Sequence, residues 1–304
     1  MENNRAIIAV ALIILLWSGY SIFFPQQQPL PVAVDKTVEK NVAEEKTVAV
    51  ETVPEEVFVQ PQVDRSNYQE KMISVVSDLY KIKISTTGAS VRAITLNKYK
   101  ETNKPDATPF EYMAMGSQQI ATFKTSGSEG LAIPADMPFK LAAGTPENIH
   151  IESDKVVSFT AVTPSGLTIV KNYTFHAATY QVDVNIDLIN GSEEAMKGYF
   201  NMALVSAVPE EGEGMKDMYS FVGPLSFDGE DLIEDKLEDL ETTAKIYGDG
   251  ILWSANKSKY FLTIMAAGDS AKQIQIEKGD DYVQNKFVSP FISLNAGQKI
   301  SLDY

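Results

Sequence analysis

The chain has 304 residues, 44% of them apolar and 22% charged, with a net charge of −15 and no cysteine. That acidity excludes nucleic acid as a partner and opposes adhesion to anionic lipid headgroups, because counterion release and surface potential both reward Lys and Arg. Without cysteine there is no disulfide framework, thiolate metal site or thiol nucleophile, so burial alone must stabilise the fold.

Residues 6–24, AIIAVALIILLWSGYSIFF, carry no charge. About 19 residues at a rise of about 1.5 Å make a helix of roughly 28 Å, enough to cross a hydrocarbon core of ~30 Å. Trp17, Tyr20, Phe23 and Phe24 sit in its outer third, where amphipathic rings favour the headgroup boundary. Arg5 precedes the span, and the next basic residue, Lys36, is offset by Asp35 and Glu39. This bias predicts a cytoplasmic N-terminus, with residues after about 25 outside the cytoplasm and the span embedded in the lipid bilayer. A cleaved secretory signal, the competing reading, needs a shorter apolar core and an Ala-x-Ala exit, and neither is present.

Residues 25–61 mix Pro, Gln, Val, Glu and Lys without an apolar period, and the first aromatic among them is Phe58. Such a segment buries too little surface to offset its ordering entropy, so a disordered tether is expected. A helix over 38–52 is the alternative, and its repeated Val and Thr argue against it.

Residues 62–304 carry the pattern of one β domain. MISVVSDLYKIKIST alternates around Tyr80, Ile82 and Ile84, breaks at Thr86-Thr87-Gly88 and resumes as VRAITLNKY, which predicts a β-hairpin. Shorter strands follow in FEYMAM and QQIATFKTSG. From 150 to 190 the alternation is clearest: Val182, Val184, Ile186 and Leu188 share one face while Gln181, Asp183, Asn185 and Asp187 share the other. One dry and one wet face, with short turns between strands, imply antiparallel pairing in a sandwich. NMALVSAV, GILWSANKSKYFLTIMAAGD and KQIQIEKGD continue as strands, and FISLNAGQKISLDY reads as a closing hairpin. Residues 228–241 hold eight acids and one Lys. Leu232, Ile233, Leu237 and Leu240 could face a core from a short helix there, leaving a solvated acidic face, and the spacing lacks the pattern of a cation-binding loop.

Chemistry-bearing residues are few. His150 and His176 fall at strand ends, where they read as ordinary surface groups, and no nucleophile elbow, phosphate-binding loop or zinc motif occurs. Trp253, Tyr260 and Phe261 read as core aromatics, with a ligand platform as the alternative. No catalytic, cofactor-binding or metal-binding set is expected, and the substrate-binding residues are left open.

In series, the apolar start MENNRAIIAVALIILLWSGY, the Thr87-Gly88-Ala89-Ser90 turn, Tyr173-Thr174-Phe175 leading into Tyr180-x-Val182-x-Val184, Trp253 followed by Lys259-Tyr260-Phe261, and the closing ISLNAGQKISLDY resemble the N-terminal portion of the YidC family of bacterial membrane protein insertases. The resemblance implies a mainly β fold, a two-sheet antiparallel β-supersandwich similar to galactose mutarotase, behind one N-terminal transmembrane helix. The implied domains are an anchor at 1–24, a linker at 25–61 and a periplasmic domain at 62–304. It further implies a non-enzymatic protein of the cell inner membrane, without cofactor. Such a protein inserts nascent membrane proteins, alone or beside the Sec translocon components SecD, SecF and SecYEG. The membrane-embedded insertion groove of that family has no counterpart in these residues. A membrane-tethered carbohydrate-binding or aldose-epimerase-like protein is the alternative, and its chemistry would need a His acid facing a carboxylate base across a cleft.

Overall fold

The computed structural model describes residues 68–114, 120–208, 221–240 and 243–304; the predicted span at 6–24 and tether at 25–61 lie outside them. Among the described residues there are twenty strands and two short 3-10 turns, Leu237–Leu240 and Gly268–Ser270. No helix among them is long and apolar enough to cross a membrane.

Backbone pairing sorts the described strands into four sheets, of five, five, six and four strands, where the resemblance implies two. Period-two alternation assigns residues to faces but does not say where pairing stops. In the first sheet Pro109–Met113, Ser90–Lys100, Tyr80–Ser85, Met72–Val76 and Asn148–His150 lie side by side. The first arm of the predicted hairpin is itself folded in two. Ser77 Oγ accepts from the amides of Leu79 and Tyr80, both at 3.1 Å, and turns the chain so that Ile73 pairs with Ile84. Asn148–His150 joins Met72–Val76 in parallel, so the pairing is not wholly antiparallel; residues 77–147 supply the crossover that parallel strands require.

The second sheet holds Lys155–Val162, Leu167–Phe175 and Val182–Asn190, with Lys140–Leu141 and Lys299–Asp303 at its edges. Val184, Ile186 and Leu188 are buried and Asp183, Asn185 and Asp187 face outward, as the alternation predicts. In the third sheet the long strand Met196–Ala207 pairs with Tyr282–Val288 and Ile292–Leu294 and, on its other side, with Lys124–Glu129. The fourth runs Leu232–Glu234, Gly223–Phe227, Trp253–Lys257, Leu262–Ala266. It is tied to the third by Asn285, whose Nδ2 donates to Ser254 Oγ at 2.7 Å and to the Ala255 carbonyl at 3.0 Å.

Two further expectations are corrected. The closing segment is not a hairpin: Ile292–Leu294 pairs with Met196–Gly198 and Lys299–Asp303 with Asn185–Ile189, so the turn at 295–298 carries the chain between sheets. Buried Asn190 holds that crossing, its Nδ2 donating to the carbonyls of Leu294 at 3.0 Å and Glu194 at 2.7 Å. The acidic run is a strand, Leu232–Glu234, followed by a 3-10 turn. Of its four apolar residues only Leu240 is fully buried and Leu232 is exposed, while Asp235 is interior and accepts from Lys245 Nζ and Tyr247 Oη, both at 2.8 Å. One carboxylate of the run is therefore inside, because a buried charge is tolerated where it is paired and hydrogen-bonded.

The strand Leu167–Phe175 alternates buried and half-buried residues, which puts Lys171 on the dry face between Ile169 and Tyr173. Lys171 Nζ donates to the carbonyls of Gly88, at 3.3 Å, and Phe123, while Tyr173 Oη donates to the Ala89 carbonyl at 2.6 Å. The turn they hold requires Gly88: its φ is +68°, and a Cβ there would lie 2.7 Å from the Ala135 carbonyl oxygen.

Burial pushes the Lys171 ammonium down to about 7 from its ordinary 10.5. The unfolded chain then binds the proton that the folded one lacks between those values, so this residue makes stability rise with pH across that window. Near pH 10.5, where the amine is neutral in folded and unfolded chains alike, Lys171→Met is expected to lower stability by about 1–3 kcal/mol, because two buried carbonyls lose a donor. It should also remove a slope of up to about 1.4 kcal/mol per pH unit from the difference between wild type and variant. Urea denaturation across pH 7 to 10.5 measures both, and parallel curves refute a depressed lysine.

Candidate functional site

The far ends of the same strands border a cleft of about 360 Å³. Tyr80, Leu96 and Tyr99 come from the first sheet, Phe175 and Val182 from the second, and Leu262, Thr263 and Ile264 from the fourth, with Tyr180 and Phe261 arriving on turns. None of the lining residues is charged. Phe261 sits at the centre of a ring cluster, its centroid 4.9 Å from Phe110, 5.2 Å from Tyr99 and 5.9 Å from Tyr112. Tyr180 bridges Tyr99, at 6.2 Å, and Tyr80, at 6.4 Å. These separations are those of favourable edge and offset contacts. Thr263 Oγ1 donates to Tyr112 Oη, joining the fourth sheet to the first across the cleft floor. Desolvation pushes the Tyr80 phenol up to about 12 and raises Tyr112 as well, so both stay neutral at physiological pH, Tyr80 as a donor and Tyr112 as the acceptor from Thr263.

The three aromatics read as core residues do not behave alike. Trp253 is half-buried and stacks on Phe227 at 5.6 Å, on a different part of the fourth sheet. Tyr260 is 76% exposed at the tip of the turn between Trp253–Lys257 and Leu262–Ala266. Phe261, half-buried, is the one that enters the cleft. Neighbours in sequence diverge here because Ser258 caps the turn: its amide donates to the Phe261 carbonyl at 2.9 Å and its Oγ accepts from the Phe261 amide at 3.1 Å. Tyr99, Tyr112 and Tyr180 gather from three separate stretches of chain, and no local pattern marks them as one group.

The two histidines are also unlike. His150 is exposed at the end of the edge strand Asn148–His150 and takes no part in lining the cleft. His176, read as a surface group, is clamped beside the cleft: Nδ1 lies 2.7 Å from Asp154 Oδ2 and Nε2 lies 2.8 Å from Asp183 Oδ2. The Ala177 amide donates to Asp154 Oδ1 at 3.2 Å, the His176 carbonyl accepts from Tyr80 Oη at 2.9 Å, and Gln181 Nε2 donates to Asp183 Oδ1 at 2.7 Å. The clamp therefore fixes the 176–181 turn that carries Tyr180 and Gln181 into the cleft. With both ring nitrogens committed to carboxylates, His176 has none free to act as an acid on a bound sugar.

Asp183 and then Asp154 raise the His176 pKa above its ordinary 6.5, and His176 in turn holds both carboxyls below theirs. A raised histidine stabilises the fold fully below 6.5 and ceases to as the pH climbs through its folded value; the carboxylates contribute above 3.8 and lose this as the pH falls. The clamp is therefore tightest in mildly acidic solution. His176→Gln is expected to lower the melting temperature most just below pH 6.5, with the deficit shrinking at alkaline pH. A deficit that does not vary with pH contradicts the ionic clamp.

Comparison with known proteins bears on what carries this cleft. Two crystal structures share the fold: a galactose mutarotase related enzyme from Lactobacillus acidophilus, with a TM-score of 0.53, 14% identity and coverage of 76% of this chain and 95% of its own; and a galactose mutarotase-like protein from Lactobacillus casei, with a TM-score of 0.50, 14% identity and coverage of 76% and 98%. The membrane protein insertase YidC of Geobacter sulfurreducens is 30% identical over 310 residues, covering 99% of this chain and 56% of that protein. The same-named protein of Geotalea uraniireducens is 25% identical over 307 residues, with coverage of 99% and 56%. The chain thus spans little more than half the length of these curated relatives. A family model described as the YidC periplasmic domain matches residues 72–304, from the first residue of the first strand to Tyr304, and by that match the chain belongs to the YidC periplasmic domain family.

Proposed function

We propose that this chain is the anchor and periplasmic part of an inner-membrane protein insertase. The observation that carries the reading is that relatives named membrane protein insertase align over 99% of this chain, and over 56% of their own length. In this reading residues 1–24 hold the protein in the inner membrane with the N-terminus in the cytoplasm, residues 25–61 are a tether, and residues 62–304 stand in the periplasm. The partners are nascent membrane proteins and the Sec components SecD, SecF and SecYEG. The domain is a contact module and not an enzyme. The aldose-epimerase alternative is not favoured, since the shared fold at 14% identity carries no activity with it and His176 has no free nitrogen.

The absence of native cysteine allows a direct test of placement. Lys104→Cys is expected to react with a membrane-impermeant maleimide in intact spheroplasts, and Asn3→Cys only after lysis; the opposite pattern overturns the topology. For activity, the full-length protein that carries this chain should restore insertion of a single-span reporter in cells depleted of their own insertase. Unrestored insertion, with the protein present in the membrane, defeats the proposal.

A further inference from the structure

Tyr260, 76% exposed, is the barest large hydrophobic side chain among the described residues, and the Ser258 cap that turns Phe261 inward leaves it standing at the tip of its turn. Lys259 Nζ lies 5.4 Å from its ring, and Lys257 pairs across the turn with Leu262, which is 44% exposed. Residues 250–268 carry these two lysines and no acid. Phe261 packs on Tyr99 at 5.2 Å, and Tyr99 is exposed between the exposed Lys98 and Lys100. Glu101, the acid next along that strand end, accepts from the Glu111 amide at 3.2 Å. Tyrosines standing out among lysines suit one kind of surface: the amphipathic ring favours the lipid headgroup boundary, and the ammonium meets phosphate.

We infer that the turn at residues 257–262, with Tyr99 beside it, docks on an anionic lipid bilayer surface, with Tyr260 at headgroup depth. The net charge of −15 opposes adhesion of the chain as a whole, but screening confines each exposed charge to about 8 Å. The acids of the fourth sheet, Asp228, Glu230 and Asp231, follow Phe227, which pairs with Trp253 at the other end of the strand Trp253–Lys257. That strand is about 13 Å long, so the basic tip meets the bilayer while the acidic end points away from it. Docking therefore fixes an orientation as well as a contact. The inference deepens the insertase reading by saying how the periplasmic domain sits, and rests on that reading for the nearness of a bilayer. A tether over residues 25–61 has a reach of at least about 30 Å, so a contact too weak to hold a free domain suffices to seat a tethered one.

The lack of cysteine lets single thiols report position in the full chain, reconstituted in phosphatidylcholine vesicles with about 30% phosphatidylglycerol. A nitrobenzoxadiazole label on Leu262→Cys is expected to be quenched at least about twofold by lipids brominated near the headgroup. Lys259→Glu and Tyr260→Ser should each remove most of that quenching, and Tyr260→Trp should keep it. Phe291→Cys, at a site 53% exposed, should stay unquenched. Its neighbour Ile292 pairs with Gly198, nine residues along the strand from Ala207, which lines a small cavity with Lys257 and Ser258, so it lies about 30 Å from the tip. Equal quenching at the two positions, or quenching that persists in phosphatidylcholine alone, overturns the docking. A label at 262 that shifts to the blue without quenching assigns the turn to a protein partner, and a dimer that Tyr260→Ser dissolves assigns it to a second copy of the chain; either result overturns the inference. Restored insertion in depleted cells with an unquenched label defeats this inference alone, and quenching without restored insertion defeats only the insertase reading.

Discussion

Two buried polar tips, Lys171 Nζ and Tyr173 Oη, meet the carbonyls of one tight turn, and the joining of the first two sheets depends on that meeting. The turn at residues 87–90 joins two central strands of the first sheet, while Lys171 and Tyr173 belong to the middle strand of the second. The Gly88 and Ala89 carbonyls accept from these two side chains, and leaving such buried acceptors dry costs on the order of 1–3 kcal/mol each. A lysine serves because burial depresses its pKa toward neutrality, so the interior receives a donor at far smaller desolvation cost than a fixed charge would impose. Tyr173 also packs edge-on against Phe159 and stacks on Phe175, so polar closure and aromatic core are one structure.

From that centre the same strands run outward to the cleft. Tyr80–Ser85 begins at Tyr80, whose hydroxyl reaches the His176 carbonyl; Leu167–Phe175 ends one residue before His176, and Val182–Asn190 begins just after the 176–181 turn. The cleft thus has at one wall the 176–181 turn, held by the His176 ion pairs, and at another the strand Leu262–Ala266 of the fourth sheet. A wet, charged clamp and a dry, uncharged cleft stand side by side because the strands expose opposite faces at their ends.

Much of the β architecture is legible in the residues, since burial on one face imposes a period of two: the strands from 155 to 190 fall where alternation places them. The same alternation puts Lys171 among Leu167, Ile169, Tyr173 and Phe175, a sign that the lysine is interior. The closing segment misleads for the complementary reason. Two short alternating runs around Asn295-Ala296-Gly297 satisfy every local rule for a hairpin, yet each finds a longer partner in a different sheet. The acidic run misleads likewise, because the partners that make Asp235 tolerable inside, Lys245 and Tyr247, lie ten and twelve residues away.

The sequence by itself determined the class of the domain, the faces of its main strands and the family likeness, because these follow from periodicity, composition and short motifs along one dimension. Only the tertiary structure decided which strands pair, that His176 stands between Asp154 and Asp183, and that Tyr99, Tyr180 and Phe261 wall one cleft. Those features join residues brought together across strands, the cleft walls from widely separated ones, and the free energy that selects them comes from burial and hydrogen bonding between segments, which no local pattern records.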